Sequence, residues 1–236
     1  MNDKFVRAEM LLGAEALEKL KNSHVAVFGL GGVGSWCAEA LARSGVGSLT
    51  VVDQDTVGES NINRQLCALD STIGAAKADV VASRIKDISP GCKVNSLVRR
   101  YEASARDGFF AESLDYIVDA IDLVSCKVDL ICSAMEREIP IISALGTGNK
   151  TDAQRLKIGD ISKTQGCPLA RVVRRELRKK GIYKHAVVFS DELAMEAAQI
   201  EEPPPGRRSV PGSLVWVPAT AGLLLCQHVV TELIKE

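Results

Sequence analysis

The sequence predicts an α/β fold in which a doubly wound, mostly parallel sheet has helices on both faces. Short continuous apolar segments, such as HVAVF at 24–28 and LTVV at 49–52, are typical of strands buried on both faces. Amphipathic segments of helical length separate them, and such alternation of strand and helix indicates a parallel sheet. A chain of 236 residues with 46% hydrophobic residues is large enough to bury this core.

The first 150 residues contain the regular part of this alternation. An amphipathic helix over about 10–22 leads to the first strand, and Gly45 is placed to cap a helix at 33–44. The turn SPG at 89–91 ends the next helix. The other predicted elements of this half are strands at 49–52, 94–98, 116–118 and 140–143 and helices at 75–88 and 125–137.

The pattern changes in residues 151–236, which we expect to form a C-terminal extension packed on the same domain. It begins with a strand at 156–161, a basic helix at 168–180 and a strand at 186–189. The segment EEPPPGRR at 201–208 cannot pack as a regular element and predicts a mobile loop over about 197–210. A strand at 214–217 and a helix at 219–234 complete the extension.

Composition excludes several classes of protein. The net charge of -1 predicts no general affinity for nucleic acid or membranes, so any such surface must be local. The N-terminal residues MNDKFVRAEM lack a signal-peptide core, and the apolar stretch 214–230 is too short and interrupted to be a transmembrane segment. Seven cysteines without a C-x-x-C pair argue against disulfides and structural zinc and favour a cytoplasmic protein.

The segment GLGGVGS at 29–35 predicts a phosphate-binding loop. Gly29, Gly31 and Gly34 match G-x-G-x-x-G, and glycines let a backbone approach phosphates closely at a helix N-terminus. Asp53 ends the second strand, where a carboxylate accepts ribose hydroxyls. Alone, this pattern is weak, and its default interpretation is a nicotinamide-dependent oxidoreductase.

The residues that follow favour ATP. Arg64 and Lys77 can neutralise charge on the α-phosphate and on departing pyrophosphate. Asp119 and Asp122 follow the fourth strand, where one of them can hold Mg²⁺ against the phosphates. For each residue alone, a solvated charge or, for Asp119, a helix cap is the alternative. The group at strand ends favours a triphosphate site.

Several motifs together resemble the ThiF/MoeB-type adenylyltransferase family, which includes ubiquitin-activating enzymes. They are GLGGVGS at 29–35, DQD at 53–55, SNINRQ at 60–65, GAAKA at 74–78 and DAID at 119–122. The resemblance implies a Rossmann-like adenylation domain at 1–150 that uses ATP and Mg²⁺. Asp53 would bind the ribose, Asp122 would hold Mg²⁺, and Arg7 would reach the partner's site in a homodimer.

The resemblance and the pattern together give two sets of site residues. The predicted catalytic residues are Arg7, Arg64, Lys77 and Asp122. The predicted nucleotide-binding residues are Gly29, Gly31, Gly32, Gly34, Ser35, Asp53, Asp55, Asn61, Gln65 and Asp119.

Later segments resemble one branch of this family, the tRNA threonylcarbamoyladenosine dehydratases. These segments are DISKTQGCPLARVVRREL at 160–177, RKKGI at 178–182 and GSLVWVPATAGLLL at 212–225. The resemblance implies ATP-dependent dehydration of that nucleoside in tRNA to a cyclic form, through carboxylate adenylation, ring closure and AMP release. Some members have Asp at the position of Cys167.

The basic helix predicts an RNA-binding face without any resemblance. Its arginines recur at helical spacing on one face, whereas Leu169, Val173 and Leu177 lie on the other. A solvated surface is the alternative, but a stripe on a near-neutral protein suits a phosphate backbone. The predicted tRNA-binding residues are Arg171, Arg174, Arg175 and Arg178.

Other interpretations remain open from the sequence. The main alternative is an adenylyltransferase that activates the C-terminal glycine of a ubiquitin-like sulfur-carrier protein. A nucleotide-binding module without turnover and the oxidoreductase are the others. Cys167 is either a nucleophile activated beside a basic helix or a packed residue. The sequence does not identify a sulfur-relay or cysteine-desulfurase partner.

Overall fold

The structure, a computed structural model, describes residues 3–198, 200 and 210–235. Seven strands form one sheet in the order β3-β2-β1-β4-β5-β7-β6. Neighbouring strands are parallel, except that the edge strand β6 pairs antiparallel with β7. The strands are β1 His24–Phe28, β2 Ser48–Val52, β3 Lys93–Leu97, β4 Tyr116–Asp119, β5 Ile141–Ala144, β6 Leu156–Asp160 and β7 Ala186–Ser190.

Helices cover both faces of the sheet, as the sequence predicts. The α-helices are α1 Val6–Leu12, α2 Ala14–Asn22, α3 Gly34–Arg43, α4 Lys77–Ile88, α5 Val124–Glu136, α6 Pro168–Lys179 and α7 Trp216–Leu233. Leu41 of α3, Val81 of α4 and Leu225 of α7 join the core on one face. Ile131 of α5 and Val173 of α6 join the core on the other. In the described part of the chain, no helix is long and apolar enough to cross a membrane.

The first predicted helix is two helices. Gly13 separates α1 from α2, with a φ of 84° that side chains rarely adopt, and its N–H donates to Glu9 O at 2.8 Å. The amphipathic pattern continues through this glycine, which is why it predicts one helix. The other elements as far as β7 lie within two residues of their predicted bounds.

The predicted strand at 214–217 is wrong, because these residues lead directly into α7. Val217 N–H donates to Leu214 O at 3.1 Å, a bond of a helical turn and not of a sheet. Pro218 lies in the first turn of α7, where a missing N–H costs nothing. A short apolar run does not distinguish a strand from a buried helix start. The predicted loop at 197–210 falls mainly outside the described residues.

Helix α7 packs against the start of α3. A Cβ at Gly222 would lie 2.5 Å from Val33 O, so only glycine permits this approach. One turn earlier in α7, Pro218 lies over Gly32. A Cβ at Gly32 would be 3.3 Å from Pro218 Cβ. The C-terminal helix therefore forms one wall of the loop that precedes α3.

Three strand ends lie level at one edge of the sheet. Phe28, the last residue of β1, pairs with Val52 of β2 on one side and Asp119 of β4 on the other. The segments after these strands therefore meet at the carboxyl edge. Ligands bind at this edge of open α/β sheets, where the chain connections diverge from a central strand.

Candidate active site

The glycine loop at residues 29–35 is shaped by close backbone contacts. A Cβ at Gly29 would lie 2.7 Å from Ala120 O, and its φ is 86°. A Cβ at Gly34 would lie 1.8 Å from Gly29 O. Gly31 differs, because the nearest atom to its hypothetical Cβ is Gln65 Nε2 at 3.9 Å. The tight turn thus requires Gly29 and Gly34, whereas Gly31 leaves open space for a ligand.

Ser35 is buried and joins the glycine loop to the segment that contains Gln65. Its hydroxyl donates to Gly31 O at 2.6 Å and accepts from Leu66 N–H at 3.2 Å. Ser35, predicted to bind the nucleotide, is fully buried in this arrangement. The structure shows it holding the loop, and not facing the open space above it.

Asp53 holds the glycine loop against β2. Its Oδ2 accepts from Leu30 N–H at 2.6 Å, and its Oδ1 accepts from Asp55 N–H at 2.8 Å. Burial raises the pKa of this carboxyl, although both hydrogen bonds oppose the shift. A carboxylate offers about four acceptor positions. The two that remain can accept ribose hydroxyls, as the sequence predicts.

Lys77 places a buried positive charge beside this edge. It begins α4, and its Nζ lies 3.1 Å from Asp55 Oδ2, with side-chain exposures of 7% and 56%. A backbone bond from Lys77 N–H to Asp55 O at 3.0 Å fixes the same pair. An ammonium has three donors, so Lys77 can also reach a phosphate. Asp55 is thus the counter-ion of Lys77.

The segment after Asp55 adds further polar groups. Arg64 donates to Ser60 O at 2.8 Å and to Asn63 Oδ1 at 2.9 Å. Asn61 Oδ1 accepts from Gly58 N–H at 3.1 Å and shapes the turn. These bonds orient Arg64 and Asn61 within the segment that precedes α4.

Gln65 is an incompletely bonded group in this segment. Its residue exposure is 8%, and its Oε1 has no hydrogen-bond partner among the residues that the structure describes. Leaving a buried amide oxygen unpaired costs about 1–3 kcal/mol. The amide nitrogen Nε2 of Gln65 is the atom nearest the open side of Gly31, so it can donate to a nucleotide bound there.

Asp119, predicted to bind the nucleotide, lies in a fully buried ion pair. Its side chain and that of Lys127 are both 0% exposed, and Lys127 Nζ lies 2.7 Å from Asp119 Oδ2. Asp119 Oδ1 accepts from Ile121 N–H at 3.0 Å. This carboxylate is therefore fully buried behind the binding edge and paired with Lys127. Lys127 is not among the residues predicted from the sequence, although a lysine between Cys126 and Val128 in an apolar helix is a usable signal.

Asp122 is an exposed carboxylate at this edge, three residues beyond Asp119. Within the described residues, no three His, Cys, Asp or Glu side chains gather as metal ligands. Mg²⁺ does not need such a cluster, because it is commonly held by one or two carboxylates together with substrate phosphates. The chemistry of Asp122 beside a phosphate loop therefore fits Mg²⁺ delivered with a nucleotide.

Arg7 lies on α1, a helix in which no residue is buried. Its side chain is exposed, as are its neighbours Met10 at 73% and Leu11 at 87%. None of the hydrogen bonds or ion pairs described above joins Arg7 to the glycine loop of its own chain. The structure thus leaves this predicted catalytic residue on the surface.

The basic helix α6 forms a positively charged surface. Its inner face buries Val173 and Leu177, as predicted. On its outer side, five basic residues line a depression of about 460 Å³. These are Arg171, Arg174, Arg175, Arg178 and Lys179.

The prediction that the four arginines project together into solvent is wrong for Arg174. Its guanidinium donates to Thr164 Oγ1 at 2.6 Å, to Thr164 O at 2.8 Å and to Ile161 O at 3.3 Å. Helical spacing cannot reveal these carbonyls, because they belong to the preceding loop. Arg171, Arg175 and Arg178 are exposed, so they carry the accessible charge of this face.

Cys167 caps the N-terminus of α6. The thiol is buried, and its Sγ accepts from Ala170 N–H at 3.4 Å. Pro168 follows at the first helical position, where proline is favoured. The geometry gives this cysteine a role in starting the helix.

The profile of the ThiF family matches residues 5–236, nearly the whole chain. The chain belongs to the ThiF family. It is 46% identical over 245 aligned residues to the tRNA threonylcarbamoyladenosine dehydratase of Bacillus subtilis, covering 100% of this chain and 96% of that protein. The match extends well beyond the glycine loop and includes the segments of α6 and α7.

Two other relatives of this ThiF family member bear on its site. The Escherichia coli tRNA N6-threonylcarbamoyladenosine dehydratase in complex with ATP superimposes with a TM-score of 0.89 at 33% identity, covering 98% of this chain and 93% of that one. The molybdopterin-synthase adenylyltransferase of Salmonella typhimurium is 33% identical over 129 residues, covering 55% of this chain and 51% of that protein. The similarity to the adenylyltransferase therefore does not extend to nearly half of the present chain.

The pH dependence of stability follows from His185, which is buried next to β5. Ser143 Oγ and His185 Nε2 are 2.7 Å apart. Burial, and secondarily the charge of Lys127, lowers the pKa of His185 from 6.5 to about 3. Between these values the unfolded chain binds a proton that the folded chain does not. The free energy of unfolding should therefore fall as the pH drops below 6.5, by up to about 1.4 kcal/mol per pH unit from this residue.

Urea unfolding at pH 7.5, 6.0 and 5.0 measures this dependence. The control is His185→Gln, which retains a hydrogen-bonding side chain but cannot titrate in this range. Its free energy of unfolding should decline less steeply with pH than that of the wild type. Equal slopes for the two proteins would contradict the assignment.

Proposed function

We propose that this chain is an ATP-dependent enzyme that dehydrates threonylcarbamoyladenosine in tRNA to its cyclic form. The observation that carries this proposal is the full-length similarity to dehydratases of this nucleoside, one of them in complex with ATP. The adenylyltransferase similarity covers only 55% of the chain. The arginine surface of α6 supports a nucleic acid as the second substrate.

The reaction has two steps. The free threonyl carboxylate attacks the α-phosphorus of ATP, and pyrophosphate leaves, which gives an acyl-adenylate. The carbamoyl group of the same nucleoside then attacks the activated carboxyl carbon. AMP departs with one carboxylate oxygen and the attacking carbamoyl group releases a proton to solvent, so the nucleoside has lost the elements of water.

The residues of the carboxyl edge suit the first step. Backbone N–H groups of the glycine loop bind phosphate oxygens at the start of α3. Lys77 and Arg64 stabilise the negative charge that develops on the α-phosphate and on pyrophosphate. Gln65 Nε2, which lies 3.9 Å from the position that a Cβ of Gly31 would take, can donate a hydrogen bond to a phosphate oxygen. Mg²⁺, held by Asp122 and the phosphates, would supply further charge neutralisation.

The second step needs no nucleophile from the protein. The carbamoyl group is tethered to the adenylate, and such intramolecular attack has an effective molarity of roughly 10⁵ M or more when well oriented. The capping role of Cys167 agrees with this, because its thiol serves the backbone of α6. The enzyme therefore acts mainly by positioning and charge stabilisation.

Mass spectrometry of nucleosides tests the proposal. Modified tRNA incubated with the protein, ATP and Mg²⁺ should lose one water from threonylcarbamoyladenosine. Lys77→Met should abolish this loss, whereas the matched control Lys86→Met, an exposed lysine on the same helix, should retain it. Adenylation of the C-terminal glycine of a sulfur-carrier protein, without any change in tRNA, would favour the alternative instead.

The tRNA surface is the exposed part of α6. Arg171 and Arg178 line the depression and lie outside the loop contacts that occupy Arg174. The double variant Arg171→Ala and Arg178→Ala should therefore weaken tRNA binding without disturbing the fold. The slope of log affinity against log salt should become shallower by roughly one unit per lost phosphate contact.

The measurement is tRNA affinity at several salt concentrations, with ATP affinity as an internal control. Lys86→Ala is the matched surface variant, since α4 lies on the opposite face of the sheet. It should leave both affinity and slope unchanged. If the double arginine variant bound tRNA with the wild-type affinity and salt dependence, α6 would not be part of the tRNA-binding surface.

We also propose a homodimer in which Arg7 completes the partner's site. Exposed Met10 and Leu11 give α1 an apolar surface that a second copy can cover. Sedimentation should show a dimer, and Arg7→Ala should lose turnover while remaining folded. An equal mixture of the Arg7→Ala and Lys77→Met proteins should recover about a quarter of wild-type activity. About half of the dimers are then heterodimers, and each heterodimer has one intact site out of two. A fully active monomer, or a mixture that stays inactive, would rule this out.

We place this enzyme in the cytoplasm. All seven cysteines are free, as reducing conditions require, and tRNA is the substrate.

A further inference from the structure

A buried ion pair lies behind the site and takes no part in the steps above. The side chains of Lys127 and Asp119 are both 0% exposed. Moving an ammonium and a carboxylate out of water costs several kcal/mol per ion, and a well-packed apolar pair is often as stable. Stability alone is therefore a weak explanation for these two charges.

The pair joins three parts of the backbone. Lys127 Nζ donates to Asp119 Oδ2 at 2.7 Å and to Ala144 O at 3.0 Å, so it links the ends of β4 and β5. Asp119 Oδ1 accepts from Ile121 N–H at 3.0 Å, so it also holds the turn at 120–122. Fixed charges in a buried setting hold such geometry more strictly than apolar contacts do.

This turn touches the glycine loop on one side and contains Asp122 on the other. Ala120 N–H donates to Phe28 O at 2.8 Å. Ala120 O lies so close to Gly29 that a Cβ there would be only 2.7 Å away. Ile121 is the only residue between Ala120 and Asp122. A displacement of the turn therefore changes the separation between Asp122 and the phosphate loop.

We propose that Lys127 is a positioning residue. Acting through Asp119, it holds the turn at 120–122 so that Asp122 keeps a fixed separation from the glycine loop. The inference rests on the proposed function, in which Asp122 meets the metal that accompanies ATP. Partners behind a metal-binding carboxylate commonly affect metal affinity or activity by about 10–100-fold.

The test replaces both charges at once. Lys127→Met alone leaves a buried unpaired carboxylate and is therefore strongly destabilising. The double variant Lys127→Met and Asp119→Leu removes both charges and so avoids the unpaired carboxylate, with leucine matching the branched shape of aspartate at a larger volume. Calorimetric titration measures its affinity for ATP with and without Mg²⁺, steady-state cyclisation gives kcat and KM, and thermal unfolding monitors the fold.

The expected result separates positioning from stability. The double variant should remain folded at the assay temperature, although it loses the bonds to Ile121 N–H and Ala144 O, and it should bind metal-free ATP with wild-type affinity. The gain in ATP affinity on adding Mg²⁺ should shrink by about 10–100-fold, and kcat should fall while KM for tRNA is unchanged. A folded double variant with the wild-type Mg²⁺ gain and kcat would overturn the inference.

A second pair of variants tests the same link at the turn itself. Ile121→Pro removes the N–H that Asp119 accepts but also fixes φ, whereas Ile121→Ala keeps the N–H. Wild-type affinity of the proline variant for metal-free ATP is the control that its glycine loop is undisturbed. The proline variant should lose the Mg²⁺ gain and the alanine variant should retain it; equal behaviour would also overturn the inference. Failure of the proposed function has a different signature, because the wild type would then show no cyclisation in these assays.

Discussion

The carboxylate of Asp53 organises the binding edge. One of its oxygens fixes the glycine loop through Leu30 N–H, and the other fixes the chain just beyond β2 through Asp55 N–H. Asp55 in turn holds the ammonium of Lys77. A single partly buried acid thus relates the phosphate-binding backbone to the ammonium of Lys77. Burial raises its pKa, so it is held in place at some electrostatic cost.

The different roles of the three carboxylates Asp53, Asp119 and Asp122 could be predicted only in part from the sequence. Three carboxylates at strand ends indicate a ligand edge, and Asp53 and Asp122 lie where that reasoning predicts. Asp119 differs because its neighbour in space, Lys127, lies eight residues away on the following helix. Linear spacing does not show which of two nearby carboxylates turns inward. Contact with a buried cation decides it here.

The same limit applies to the helices. Strands buried on both faces have continuous apolar sequences, so β1, β2, β4 and β5 were predictable to within a residue or two. The start of α7 was not, because an apolar run before a helix resembles a strand. On α6 the period gives the inner and outer faces correctly. The helical period cannot show that the Arg174 guanidinium donates hydrogen bonds to carbonyl oxygens of the preceding loop.

The contact between α7 and the glycine loop has a consequence for synthesis of the chain. Pro218 and Gly222 press on Gly32 and Val33, although nearly 190 residues separate them. Ribosomes add about 5–20 residues per second, and the strands of the sheet emerge before α7 does. Until α7 docks, the glycine loop lacks one wall. A nucleotide stabilises only the state that binds it, so bound ATP would favour the conformation in which α7 is docked.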